Sequence, residues 1–140
     1  MPSVDASLLD RGPVPGTVIV SLVAEEDMDE NTVVTFGTAE SSCKKCGATD
    51  VAMGWTAGKA VEDEMASIHL YSPMWKGIVA SDSDAITFGD ELECAAGGKV
   101  KRGVPGSGNT TVFYAMDDAV ADGFVLMIYN CCATAHALTA

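Results

Sequence analysis

The sequence predicts a mainly β protein: a small β-barrel or β-sandwich with at most one or two short helices and an extended N-terminal arm. Three observations carry that prediction. Runs of β-branched and aromatic residues recur at short, fairly even intervals. Gly, Asp and Ser stand between them, as they do in sandwiches and barrels made of many short strands. No apolar run approaches the roughly 20 residues of a membrane-spanning helix. The chain has 140 residues, 48% of them hydrophobic. That suits one domain burying about two-thirds of its unfolded surface.

Residues 1–15, MPSVDASLLDRGPVP, are expected to form an exposed arm ending at Pro13 and Pro15. The arm has neither a basic n-region nor an apolar h-region, so it does not fit a secretory signal. Residues 16–132 form the expected single β-rich domain, opening with GTVIVSLVA (Gly16–Ala24) and NTVVTF (Asn31–Phe36) around the acidic turn EEDMDE. ATDVAMGW, SIHLYS, KGIVA, DELECA, GKVKR and TTVFYAM are the next strands expected. GFVLMIYN is a continuous apolar run, the pattern of a strand buried on both faces. KAVEDEMASI places Val61, Met65 and Ile68 at helical spacing and predicts one short helix. MDDAVADG is expected as a turn or a single helical turn, because Gly123 stops it. Residues 133–140, ATAHALTA, are a frayed tail or a last docked strand.

GVPGSGNTT (Gly103–Thr111) has the glycine spacing of a phosphate-binding loop. Asn109 stands where that loop needs its lysine, and a β-branched strand follows where a helix is required. A hairpin loop is the better reading, with Gly106 and Gly108 free to take positive φ and Pro105 setting a turn. Eight basic residues against twenty acidic ones give a net charge of −12. That charge repels phosphate backbones, so no direct nucleic-acid binding is expected, and it favours solubility. Lys44-Lys45 and the cluster of Lys99, Lys101 and Arg102 read as solvated loop residues.

CKKCG (Cys43–Gly47) is the sharpest chemical signal. Cys-x-x-Cys-Gly is how a zinc knuckle begins, with Cys43 and Cys46 as the first two ligands. Two more are needed, and Cys94, Cys131, Cys132, His69 and His136 include no second paired motif. Adjacent Cys131 and Cys132 in an extended strand point to opposite faces, so at most one could join. A small zinc-stabilised β module for protein–protein interaction is therefore the alternative reading. The default is a labile Cys43–Cys46 disulfide or two free thiols, with Cys94 as a small core residue. The thioredoxin type of pair needs a βαβ pattern that this sequence lacks. Five cysteines leave at least one unpaired within a subunit.

Asp27-x-Asp29-x-Asn31 opens like a calcium loop but has Thr32 at the turn-glycine position and Thr38 at the bidentate-Glu position, so a solvated acidic hairpin fits better. Asp82-Ser-Asp84 fails in the same way. His69 alternates with Ile68 and Leu70, placing it outside a strand or as a neutral core residue. With no Gly-x-Ser-x-Gly elbow and carboxylates confined to turns, no catalytic residue, enzymatic activity or cofactor is expected. Trp55 and Trp75 fit a core or an interface better than a ligand pocket.

The C-terminal half carries a resemblance. Gly77-Ile78-Val79, Gly89-Asp90-Glu91-Leu92, Gly97-Gly98-Lys99-Val100, Tyr114-Ala115, Ala121-Asp122-Gly123 and the apolar strand Phe124–Tyr129 follow one another across residues 76–130. In that order they resemble the capsid decoration, or head cement, proteins of tailed phages. The resemblance implies a β-rich, non-enzymatic virion protein made in the host cytoplasm. It would sit on the outer capsid surface as a homotrimer and clamp neighbouring major capsid protein subunits, with no nucleic-acid or membrane partner. It also implies an arm that orders on the capsid, for which Val4, Leu8, Leu9 and Val14 are the candidate apolar contacts; an ordinary frayed terminus is the alternative. CKKCG lies outside the resembling segment and inherits no role from it.

Overall fold

Short β-branched runs, each ended by Gly, Asp or Ser, fold as strands wherever a neighbour covers one face. The structure, a computed structural model, describes residues 18–70, 74–103 and 112–129. Among these residues there are ten strands and no helix: β1 Val18–Ala24, β2 Val33–Phe36, β3 Ser42–Lys45, β4 Gly54–Thr56, β5 Met65–Leu70, β6 Met74–Ile78, β7 Glu91–Ala95, β8 Lys99–Arg102, β9 Phe113–Ala115 and β10 Phe124–Tyr129. The mainly β fold matches the sequence reading. The arm with Val4, Leu8, Leu9 and Val14, the tail, and Cys131, Cys132 and His136 lie outside the described residues.

The first five strands close into a barrel of order β1-β3-β2-β4-β5, in which β5 pairs back to β1 over six residues from Val18↔Leu70 to Val23↔Met65. Only the β1–β3 ladder in it is parallel. Small and medium side chains fill the inside: Ala24, Met28, Val34, Cys43, Ala66 and Ile68 are all buried there. A tight barrel needs such residues, because few large side chains fit its interior.

The last five strands form a second sheet of order β6-β10-β9-β7-β8. A parallel bridge between Val79 and Val100 brings its two edges together, so the sheet curls toward itself. Its inner face meets the outside of the barrel. Their shared core includes Val33, Cys46 and Trp55 from the barrel and Trp75, Phe113 and Met127 from the sheet. Glu93 is buried on β7 and stands directly across from Lys101 on β8, with 3.6 Å between the charged groups. A carboxylate that deep needs such a partner, because desolvating it alone is costly.

Gly98 ties the two halves together. Its N–H donates to the Cys46 carbonyl at 2.9 Å, and its own carbonyl accepts from Val33 N at 2.8 Å. It takes a φ of +72°, and a Cβ there would meet the Val33 carbonyl at 2.7 Å. Both conditions require glycine.

Four expectations need correction. KAVEDEMASI forms no helix: a bridge from Ala60 to Met28 and then β5 occupy it. Val61 and Met65 are 52% and 63% exposed while Ile68 is fully buried, so the three residues do not share a face as helical spacing would have it. ATDVAMGW supplies only its last two residues to β4. The Gly103–Thr111 stretch does not close a hairpin, because β8 and β9 both pair with β7 and lie on either side of it. The interior of that stretch, residues 104–111, lies outside the described residues. Finally, β10 is buried on one face only: Val125 and Met127 are inside while Phe124 is 64% exposed.

Candidate attachment surface

Strand alternation decides what the cysteines can do. Residues three apart in an extended strand point to opposite faces. Cys43, inside β3, faces the barrel interior, whereas Cys46, just past its end, faces the core shared with the second sheet. The Cys-x-x-Cys pair is therefore split between two cores. The Cys46 thiol donates to the Gly47 and Asp50 carbonyls at 3.5 and 3.8 Å, and the neighbouring Cys94 of β7, with burial, raises its pKa well above the ordinary thiol range. Burial also raises Cys43, helped by the nearby Glu25 charge. Among the described residues no group of three or more His, Cys, Asp or Glu is arranged to hold a metal ion.

A ladder of rings joins the halves. His69 stacks on Trp55 with centroids 4.6 Å apart, Trp55 meets Trp75 at 4.9 Å, and Trp75 meets Phe113 at 5.0 Å and Tyr129 at 5.2 Å. Trp55 and Trp75 thus serve as core, in agreement with the expectation. Burial holds the His69 pKa below its ordinary value, and its Nδ1 has no hydrogen-bond partner among the described residues.

The carboxylates close loops. The Glu25 side chain accepts from Ser42 Oγ at 2.6 Å, Thr38 N at 2.6 Å and Ala39 N at 3.0 Å, which pins the β2–β3 connection to the end of β1. These bonds, led by that from Ser42, lower its pKa to about 2. Asp27 accepts from Glu62 N, Asp90 from Thr87 N and Asp118 from Phe88 N, each at 2.8 Å. Asp27 and Asp29 share a shallow open groove of about 430 Å³ with Lys45 and Lys59. In the calcium-like stretch the Asp29 carbonyl is taken up by the hydroxyls of Thr32 and Thr56, at 2.7 and 2.6 Å. The acidity of the sequence is in part turn chemistry, a role that a count of charges does not reveal.

The outward face of the second sheet is different in kind. Register places Phe124 beside Ile78, Leu126 beside Lys76, and Ile128 between Met74 and Tyr114. These side chains share one face, since positions of equal parity do. Phe124, Tyr114 and Ile128 are 64%, 39% and 37% exposed, with Ile78 and Leu126 half-buried beside them. Apolar side chains gathered on one face, here around the exposed Lys76, make it a candidate surface for contact with another molecule. The sequence reading missed this face because it assigned the whole of GFVLMIYN to the core. The Lys76 charge opposite Leu126 was the signal that this face is not interior.

No family model matches the chain, and neither does any curated protein. Among solved structures, the head fiber gp8.5 N base of bacteriophage phi29 matches with a TM-score of 0.66 at 13% identity, over 81% of this chain and 94% of that one. At that identity the likeness establishes a common fold.

Proposed function

We propose that this chain is a structural protein of a phage virion that binds the outer surface of the capsid and cements neighbouring major capsid protein subunits. One observation carries the proposal: most of the chain shares its fold with the base of a phage head fiber. Residues 76–130 independently resemble phage decoration proteins. The apolar face of β6, β10 and β9 supplies a surface for the capsid, and the arm with Val4, Leu8, Leu9 and Val14 supplies a second attachment point. The protein acts as a homotrimer, whose symmetry turns several modest contacts into one strong attachment. The mechanism is mechanical: it involves no catalysis, cofactor or nucleic acid.

Co-sedimentation of the purified chain with capsids lacking it tests this reading. Saturable binding at a fixed ratio to the major capsid protein is expected, and native mass spectrometry should give a metal-free trimer either free or released from capsids. Deleting residues 1–15 should weaken the attachment. Failure of the full chain to bind capsids would overturn the proposal, and a monomer carrying zinc would favour the zinc-stabilised interaction module.

A further inference from the structure

We propose that Cys46 and Cys94 are a latent disulfide site, which closes on oxidation to staple the barrel to the second sheet. Cys46 follows β3 of the barrel and Cys94 lies within β7 of the sheet, yet both side chains are buried in one core, where Cys94 perturbs the Cys46 thiol. Both are buried. The backbone holds the pair from two sides. The Cys46 N–H donates to Val33 O and its carbonyl accepts from Gly98 N, both at 2.9 Å. Cys94 is fixed opposite Val100 by the β7–β8 ladder. Cys43 has no such neighbour, since it faces the other core.

The oxidant is a low-molecular-weight disulfide. The thiolate of one cysteine attacks it and expels a small thiolate, leaving a mixed disulfide. The second cysteine then displaces the other small thiolate and forms the Cys46–Cys94 bond. Overall, two protein thiols lose two electrons and two protons, and one small disulfide becomes two thiols. The raised pKa of Cys46 and the burial of both sulfurs make this slow while the core is closed, so the reaction proceeds through local opening. The proposal rests on the virion reading only for where the oxidant is met, outside the reducing cytoplasm. The bond would close a loop of about 50 residues, long enough to restrict the unfolded chain substantially.

The test is to incubate the reduced, purified full chain with oxidised glutathione at pH 8 and map its peptides without reduction. The expected result is a linked peptide pair containing Cys46 and Cys94. A rise in Tm on the order of 10 °C should accompany it and reverse on reduction. Cys43→Ala should leave both unchanged, and Cys94→Ala should abolish both. Because the peptide map is made on the native chain, it decides the matter even if a variant fails to fold. Cys46 recovered only as thiol or as its glutathione adduct would overturn the proposal. A linked pair with unchanged Tm would overturn the staple. Neither result depends on capsid binding, which is measured separately, so the two readings can fail independently.

Discussion

The two halves of the molecule use the same short strands to different ends. The barrel closes on itself through the β1–β5 ladder, and its interior is lined by small side chains such as Ala24, Ala60 and Ala66. The second sheet keeps two edge strands, and its inner face holds the large rings of Trp75 and Phe113. Its outer face presents Phe124, Ile128 and Tyr114. Both halves leave apolar side chains exposed, among them Ile19, Phe36 and Met65 on the barrel strands, and the partner is proposed to meet the sheet face. What joins them is a ring ladder and the backbone bonds of Gly98.

The most damaging way to break this arrangement is to cut the ladder at its centre. Trp75 touches Trp55 on the barrel side and Phe113 and Tyr129 on the sheet side. Trp75→Ala should cost about 3–5 kcal/mol by leaving a cavity at the seam. Urea titration should show it, with the midpoint falling at unchanged slope if both halves still unfold together. Gly98→Ala should cost at least about 2 kcal/mol, from the left-handed backbone and the clash with the Val33 carbonyl. An equal Tm for the Gly98 variant and the native chain would show that this junction does not hold the halves together.

Smaller effects should sharpen the contrast between the two outer surfaces. Phe124→Asp with Ile128→Asp should leave stability nearly unchanged, since exposed positions contribute little, while weakening partner binding at least tenfold. Solution pH gives the gentlest probe. Glu25 has a depressed pKa, so its loop closure stabilises the fold above about pH 4.5 and is lost as pH falls toward about 2. Hydrogen exchange at Thr38 and Ala39 should rise in that window, and Glu25→Gln should remove the dependence. His69 also has a depressed pKa, but as a base it favours the fold when neutral. Its contribution is therefore present above pH 6.5 and falls as acid protonates the unfolded chain below it. His69→Gln should flatten that part of the Tm profile.

Much of the fold was legible because β-branched residues and turn formers punctuate it. GTVIVSLVA, NTVVTF, DELECA and GKVKR became β1, β2, β7 and β8 with small shifts at their ends. β3 was not legible: Ser42–Lys45 has no β-branched residue, and its two lysines and Cys-x-x-Cys spacing read as a metal knuckle. Its strand character comes from pairing with β1 and β2, a tertiary effect. The same effect overrode the helical spacing of Val61, Met65 and Ile68, because β5 finds β1 and β4 on either side. The nearness of Cys46 and Cys94 was invisible for a related reason: spacing along the chain says nothing of pairing across two sheets. The outward apolar face was half legible. Apolar residues at every position of β10 predict burial on both sides, and the sequence does not say that Phe124 and Ile128 stay exposed.

The central claim is that the sheet, not the barrel, meets the capsid, and a matched pair of variants tests it most directly. Capsid-binding isotherms would be measured for Phe124→Asp with Ile128→Asp on the sheet and for Met65→Asp on the barrel, where Met65 is 63% exposed. The account predicts at least a tenfold rise in Kd for the sheet variant and an unchanged Kd for the barrel variant. A barrel variant that loses binding while the sheet variant keeps it would contradict the account.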